Sequence, residues 1–549
     1  VPDLGGAALR ALRLPLRGAG LVEKQVGDAA ILARAGAIRL EPPGATLHRL
    51  RSLLRWGFTP AAGYAISAGT IPDEPAIIDE RGSLSFGEVH ARTNALAREL
   101  ARAGIREGDG VGVMCRNHRG FIEATVALSK LGADVLYLNT AFAGPQLAEV
   151  ASREGIRAII HDEEFAELLA AAPAGLRFTA WGRGTAAAPA LEDLIAAGDP
   201  ADPAPPRTHG RVTILTSGTT GSPRGARRSQ PRGLGAAAGI LSRIPLRRRQ
   251  RTLIAAPLFH SWGFANFELA LLLEHTLILQ RRFDPEQTLA AVAEHRAQVL
   301  ALVPVMAQRI MELPEAVRAA HDCGSLQVAD MSGSVLPGDL ATRFMDAFGD
   351  VVYNLYGSTE VAWATIATPA ELRAAPGTAG RPPHGTVVRL LDAEGRPVAR
   401  GQPGRIFVAN GFLFEGYTDG GSKASVAGLM STGDVGHLDA DGLLFVSGRD
   451  DEMIVSGGEN VYPREVEDLL AQHPAVAEVA VIGVPDEEFG QRLRAFVVKR
   501  AGARLGAEEV QRTVRDNLAR YKVPRDVVFL DALPRTSTGK VVKRELPRD

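Results

Sequence analysis

Val212-Thr213-Ile214-Leu215 is a short apolar run that passes directly into Thr216-Ser217-Gly218-Thr219-Thr220-Gly221-Ser222-Pro223-Arg224-Gly225. The run reads as a buried β-strand, and the segment after it reads as a turn dense in hydrogen-bond donors. Glycines let a backbone turn tightly and let its N–H groups converge on one anion. The hydroxyls of Thr216, Ser217, Thr219 and Thr220 add donors, and the Arg224 guanidinium adds a fork suited to phosphate oxygens. A strand feeding such a loop predicts a polyphosphate cradle, with a plain Gly/Ser surface loop as the alternative. A Walker P-loop is excluded, because GxxxxGK[ST] does not occur in the chain.

Working outward, the residues before this loop alternate helical and strand patterns. Ser85 to Ala103 predicts a helix, Gly110 to Cys115 a strand, Gly120 to Leu131 a helix and Ala133 to Leu138 a strand. Such alternation indicates an α/β domain with a largely parallel sheet. Near Gly448 the texture changes to the polar run Arg449-Asp450-Asp451-Glu452. Beyond it, Glu478 to Val484 and Arg494 to Val498 predict strands, and Pro463 to Gln472 and Glu508 to Leu518 predict helices. A stretch of this size suits a small α+β domain, so the boundary is placed at Arg449–Asp451. The expected division is 1–62 as a helical extension, 63–448 as the large domain, 449–451 as the hinge and 452–549 as the small domain.

Composition narrows the class. The chain has 549 residues, more than one hydrophobic core usually supports. A formal net charge of -1 gives no sign of the basic surface of a nucleic-acid binder. Cys115 and Cys323 stand far apart without a metal-ligand spacing, which fits a reducing compartment. No apolar run reaches the roughly 18 residues needed to span a bilayer. The expectation is therefore a cytoplasmic protein. Two basic, leucine-bearing stretches, Leu9 to Leu21 and Leu47 to Trp56, carry two readings. One is a helix lying on an anionic membrane surface at the inner membrane face; the other is helices packed on the domain with arginines outward. Only seven of the 62 basic residues are lysines, so a retained lysine marks a place where a compact ammonium is preferred over a guanidinium.

Further motifs occur in order along the chain. They are Pro257-Leu258-Phe259-His260-Ser261-Trp262-Gly263-Phe264, Ser332-Gly333-Ser334, Tyr353-Asn354-Leu355-Tyr356-Gly357-Ser358-Thr359-Glu360, Ser431-Thr432-Gly433-Asp434, Gly448-Arg449 and Leu533-Pro534-Arg535-Thr536-Ser537-Thr538-Gly539-Lys540. Singly, each has a dull explanation: a core histidine, a helix cap, a turn or a linker. Together with the 216–225 loop, they resemble the adenylate-forming superfamily of acyl-CoA synthetases, luciferases and peptide-synthetase adenylation domains. The overall texture is most similar to bacterial medium- to long-chain fatty acyl-CoA synthetases. One departure stands out, because the family's loop usually ends Pro-Lys-Gly where this chain has Pro223-Arg224-Gly225.

The resemblance implies a large N-terminal domain of mixed sheets flanked by helices, with a small mobile α+β C-terminal domain. It implies ATP, Mg²⁺ and coenzyme A as co-reactants of a small carboxylic acid. Thr216, Ser217, Gly218, Thr219, Thr220, Gly221 and Arg224 would hold phosphates, with Thr216 among the catalytic residues. Gly333, Ser334, Asn354, Tyr356, Gly357, Ser358 and Thr359 would surround adenine and phosphate, and Asp434 and Arg449 would hold the ribose. Glu360 would hold the metal, while His260, Trp262, Gly263 and Gly333 would line the acyl pocket. Lys540 would bridge the carboxylate and the α-phosphate. Rotation about Asp451 would then exchange Lys540 for Gly457, Gly458 and Glu459 beside a coenzyme A channel.

No carboxylate appears in the pocket segment until Glu268, which favours an apolar acid over an amino acid. The similarity to bacterial fatty acyl-CoA synthetases makes a fatty acid the main expectation. An aryl or other small acid is the alternative, and so is an enzyme that loads a carrier protein. A catalytically inactive acyl- or nucleotide-binding protein is the rival of a different class, resting on Arg224. A homodimer is kept as an open assembly.

Overall fold

The computed structural model describes residues 19–172, 175–216, 224–227, 233–456, 459–486, 490–536 and 539–548. Two large sheets carry the first three quarters of the chain. In one, Val212–Thr216, Asp134–Tyr137, Gly110–Met114, Ala158–Asp162 and Leu176–Trp181 lie side by side and parallel. Arg224–Arg227 and Gly416–Tyr417 extend its edge in antiparallel fashion. In the other, six parallel strands run in the order Val352–Tyr356, Val328–Met331, Val299–Leu302, Arg251–Ile254, Thr276–Leu279 and Pro75–Asp79. Antiparallel strands close both of its edges. Parallel strands covered on both faces read as continuous apolar runs, and Val299–Leu302 and Val328–Met331 are buried at every residue.

Helices form where the sequence supplies their ends. Ser85 and Glu88 make a capping box at the start of Phe86–Arg102, and Gly132 in a left-handed conformation ends Arg119–Leu131. Each helix and strand expected between Ser85 and Leu518 is present to within a few residues. A third, antiparallel sheet contains Leu429–Leu438 and ends with Leu444–Arg449. One short helical turn over Asp450–Glu452 comes next, and Ile454–Ser456 then starts a five-stranded C-terminal sheet with its own apolar cluster. No helix among the described residues is long and apolar enough to cross a membrane.

The N-terminal segment corrects two expectations. The expected 62/63 boundary falls inside the helix Pro60–Thr70, so the backbone offers no break there. The helix Pro43–Trp56 does pack on the body, but of its three arginines only Arg51 faces outward. Arg49 turns inward to Glu41 and Glu274, and Arg55 donates to the Pro203 carbonyl at 2.6 Å. Leu47, Leu50 and Leu54 face solvent instead, at 46%, 53% and 77% exposure. The inward carboxylates explain the inversion, because a buried carboxylate needs cationic partners. Most of the Leu9 to Leu21 stretch lies outside the described residues.

One buried ion pair ties the two large sheets together. Asp79 ends a strand of the eight-stranded sheet, and Arg119 begins a helix that packs on both sheets. Arg119 Nη2 lies 2.6 Å from Asp79 Oδ1, and the Arg119 backbone N–H donates to Asp79 Oδ2 at 2.9 Å. Burial alone would raise the Asp79 carboxyl, but Arg119 reverses that and holds it below the ordinary range. Removing one partner leaves the other charge buried and uncompensated. Asp79→Ala is therefore expected to lower unfolding stability by about 3–5 kcal/mol, measured by urea denaturation.

Candidate active site

The hairpin of Val212–Thr216 and Arg224–Arg227 brings Arg224 back opposite Thr216. Residues 217–223, with the expected phosphate contacts Ser217, Gly218, Thr219, Thr220 and Gly221, lie outside the described residues. Arg224 Nε lies 3.1 Å from Asp419 Oδ2, and its guanidinium sits 5.6 Å from the centre of the Tyr417 ring. Tyr417 is carried there by the edge strand Gly416–Tyr417, which pairs with Arg224–Arg227.

Across from this hairpin, the strand Val352–Tyr356 runs into Gly357-Ser358-Thr359-Glu360. The turn is tight: a Cβ on Gly357 would lie 2.2 Å from the Ala362 carbonyl oxygen. It aims the Glu360 carboxylate at Tyr417, whose hydroxyl donates to Oε1 at 2.5 Å. Burial alone would raise the Glu360 carboxyl, but Tyr417, Ser358 and nearby Lys423 reverse this and hold it below its ordinary value. Glu360 is thus an ionised, hard oxygen ligand, the donor type a magnesium ion takes.

Asp434 and Arg449 sit opposite each other on neighbouring antiparallel strands. Arg449 Nη1 is 3.6 Å from Asp434 Oδ1, and Arg449 Nε donates to Asp451 at 3.0 Å. The other Asp434 oxygen accepts from the Tyr356 hydroxyl at 2.6 Å. His260 immediately precedes the helix Ser261–Leu272, and burial lowers its imidazole to about 4, so it is neutral near pH 7. Trp262 is fixed by its indole N–H, which donates to the Leu302 carbonyl at 3.1 Å. Gly263 has a backbone reason to be glycine, since a Cβ there would lie 2.2 Å from the Pro257 carbonyl oxygen.

One cavity of about 980 Å³ joins these pieces. Its wall includes Arg224, Gly333, Gly357, Ser358, Thr359 and Glu360 on the large unit, and His260, Trp262 and Gly263 at the start of the helix. Arg449, Asp451 and Lys540 also reach it, so the C-terminal segment contributes to the same space. Burial, followed by the Arg449 charge, lowers the Lys540 ammonium from its ordinary value.

Several expected contacts are not on this wall. Asn354 is buried within its strand, Ser334 lies just beyond Gly333, and Tyr356 packs into an apolar cluster with its hydroxyl committed to Asp434. Asp434 is not on the wall itself; it faces Arg449 and its N–H donates to Thr432 Oγ1, and both of those residues line the cavity. Of the expected coenzyme A contacts, Gly457 and Gly458 lie outside the described residues, and Glu459 starts the short strand Glu459–Val461. Glu268 corrects the apolar-pocket expectation, because this carboxylate does line the cavity, two helical turns beyond Ser261. Sequence reasoning also missed Tyr417, Asp419 and Lys423, all on the wall. Tyr417 had one readable signal: an aromatic in a short run that the sheet pairs with Arg224.

Residues 65–418 match the AMP-binding enzyme family, and residues 465–540 match the AMP-binding enzyme C-terminal domain. The feruloyl-CoA synthase of an Amycolatopsis species is 35% identical over 482 residues, covering 87% of this chain and 96% of that protein. The indoleacetate–CoA ligase of Aromatoleum aromaticum is 32% identical over 490 residues, with coverage of 87% and 96%. The solved structure of o-succinylbenzoate CoA synthetase from Bacillus subtilis, in complex with its acyl-adenylate intermediate, is 25% identical. It superposes with a TM-score of 0.77, covering 88% of this chain and 97% of that one. With both segments matched and the cavity shared between them, the chain belongs to the AMP-binding enzyme family of the adenylate-forming superfamily.

Proposed function

We propose that this chain is an ATP-dependent, AMP-forming acid–coenzyme A ligase whose acid carries an aryl group. One observation carries the reading: Lys540, from the C-terminal segment, lines the same cavity as Glu360, Thr359 and His260. The aryl preference rests on the relatives named for feruloyl and indoleacetate, and on the flat indole of Trp262 in the acid-proximal wall. A fatty acid, the first expectation from the sequence, is the second reading. It is favoured by the cavity's length along Ser261–Leu272, about 16 Å at 1.5 Å per residue.

In the first half-reaction a carboxylate oxygen of the acid attacks the α-phosphorus of ATP. A P–O bond forms, the α–β bridge breaks, and pyrophosphate leaves with the electron pair. Catalysis of such a step is positioning plus neutralisation of charge on the phosphate oxygens. Lys540 offers one compact ammonium able to meet oxygens of two different groups. Arg224 and the hydroxyls of Ser358 and Thr359 offer donors on the opposite wall. Magnesium held at Glu360 would neutralise phosphate charge. Neutral His260 donates or accepts one hydrogen bond beside the acid without adding a cation there. In the second half-reaction the thiol of coenzyme A attacks the carbonyl and AMP leaves. Lys540 then has to withdraw, and the one-turn segment at Asp450–Glu452 is the place where the chain can swing.

Pyrophosphate release with a panel of aryl, arylalkanoic and fatty acids, each with and without coenzyme A, tests the proposal. AMP release that depends on both an aryl acid and the thiol is expected; no pyrophosphate with any acid would refute it. Lys540→Ala is expected to slow adenylation by about 10²–10³ and to leave thioester formation from pre-made acyl-adenylate nearly intact, read in separate half-reaction assays. Tyr417→Phe removes a hydrogen bond that favours ionised Glu360. The carboxyl then titrates at higher pH, so the acidic limb of the adenylation pH profile is expected to move upward.

A further inference from the structure

The helix Ser261–Leu272 presents one face to the cavity over its whole length. Ser261, Trp262, Ala265, Glu268, Leu269 and Leu272 all line it, at spacings that keep one stripe of a 3.6-residue helix inward. The adenylation end lies at Ser261. At the other end the wall is supplied by the N-terminal segment, through Thr46, Arg49 and Leu53 on one face of Pro43–Trp56, and through Gly63 and Ile66 on Pro60–Thr70. The helices Pro60–Thr70 and Ser261–Leu272 seat closely, since a Cβ on Gly63 would lie 2.5 Å from Leu271 Cγ.

This far end is charged. Glu274, whose side chain is 2% exposed, accepts from Arg39 Nη2 at 2.9 Å and Arg49 Nη2 at 3.3 Å through one oxygen, and from Arg248 Nε at 2.7 Å through the other. Glu41 accepts from Arg49 Nε at 3.0 Å and Nη2 at 2.9 Å. The Arg49 hydrogen bond holds the Glu41 carboxyl below the ordinary range, and for Glu274 the arginines reverse what burial alone would do. Both carboxylates are ionised, so three guanidinium groups face two negative charges. Arg249, at the edge, lies 4.0 Å from Glu274 and 3.8 Å from Glu74, so it adds no net charge. Arg39, Glu41, Arg49 and Glu274 all line the cavity. Arg49 uses Nε and Nη2 on carboxylates and leaves Nη1 without a hydrogen-bonding carboxylate or carbonyl among the described residues. On the wall itself Arg39 and Arg49 balance Glu41 and Glu274, and Arg248 behind the wall tips the cluster to one net cation, while Glu268 lies nearer Ser261; with Arg49 Nη1 uncommitted, this end suits an anionic oxygen pair.

We propose that Arg39 and Arg49 form, at the far end of the acid cavity, a binding site for a second carboxylate on the acid, opposite the one that is adenylated. The inference rests on the ligase reading. It makes the preferred substrate an elongated diacid with an apolar or aryl middle, and it gives the N-terminal segment a role in choosing that substrate.

The test uses the full chain, ATP, coenzyme A and straight-chain dicarboxylic acids alongside monocarboxylic acids of equal length. At the length that spans the cavity, kcat/KM for the diacid is expected to exceed that for the monoacid. Arg49→Gln is expected to lower this ratio at least tenfold. A loss shared equally by both acids would make Arg49 a clamp for the N-terminal helix and overturn the proposal; so would a monoacid preference at every length. Thr46→Trp fills the far end from the same helix face without removing a member of any ion pair. It is expected to exclude the long diacid, and unchanged turnover of that diacid would also overturn the proposal. Pyrophosphate release with aryl acids but no diacid preference removes the far-end site alone. No release with any acid removes the ligase reading beneath it.

Discussion

Gly539 sits so close to Val305 that a Cβ on it would lie 2.3 Å from a side-chain carbon, and its φ of +79° is one that L side chains rarely adopt. Val305 belongs to the helix Pro304–Glu312 of the large unit, so this approach is where the C-terminal loop touches down. The next residue is Lys540, and the loop behind it is closed by Thr536, whose N–H donates to the Lys540 carbonyl at 2.8 Å. That contact seats Lys540 on the cavity wall beside Arg449 and Asp451, opposite Arg224 and Glu360.

Charge in the cavity is graded by burial and by neighbours. Glu360 stays ionised because the Tyr417 phenol, the Ser358 hydroxyl and the Lys423 ammonium outweigh its desolvation, whereas desolvation keeps His260 neutral. Lys540 is lowered by burial and by Arg449, while Asp434, Asp451 and Glu452 act in the opposite direction. A cation lowered mainly by desolvation gains when oxygen anions arrive to pair with it directly. The position is therefore suited to binding charge that develops during reaction.

Much of this was legible in the residues themselves. Apolar runs located the strands, the pattern from Ser85 to Ala103 located a helix, and the ordered motifs located the part of the cavity wall around His260, Glu360, Arg449 and Lys540. The parts that stayed hidden depend on sheet pairing rather than on local sequence. Tyr417 reaches Glu360 only because Gly416–Tyr417 pairs with Arg224–Arg227, nearly two hundred positions earlier in the chain. Tyr356 matched an adenine-stacking motif, yet its hydroxyl is taken by Asp434 on a different sheet. Lysine scarcity singles out Lys540, which lines the cavity, but not Lys540 alone. Lys130 is fully buried on Thr93 and Asn94, burial lowers it to about 7, and Lys543 pairs with Glu452 and Glu467. A compact ammonium is retained for tight structural niches as well as for chemistry.

The inverted helix Pro43–Trp56 results from the same competition between burial and charge. Rolling it half a turn would bury Leu47, Leu50 and Leu54 and gain the usual stabilisation of removing apolar surface from water, about 1.5–3 kcal/mol for each side chain fully buried. It would also take Arg49 away from Glu41 and Glu274. The latter is a carboxylate almost wholly removed from water, and the cost of leaving such a charge with fewer partners is itself several kcal/mol. Glu274 thus fixes which face of the helix looks inward. The consequence reaches the cavity directly, because the face so chosen ends it in guanidinium groups rather than in leucines.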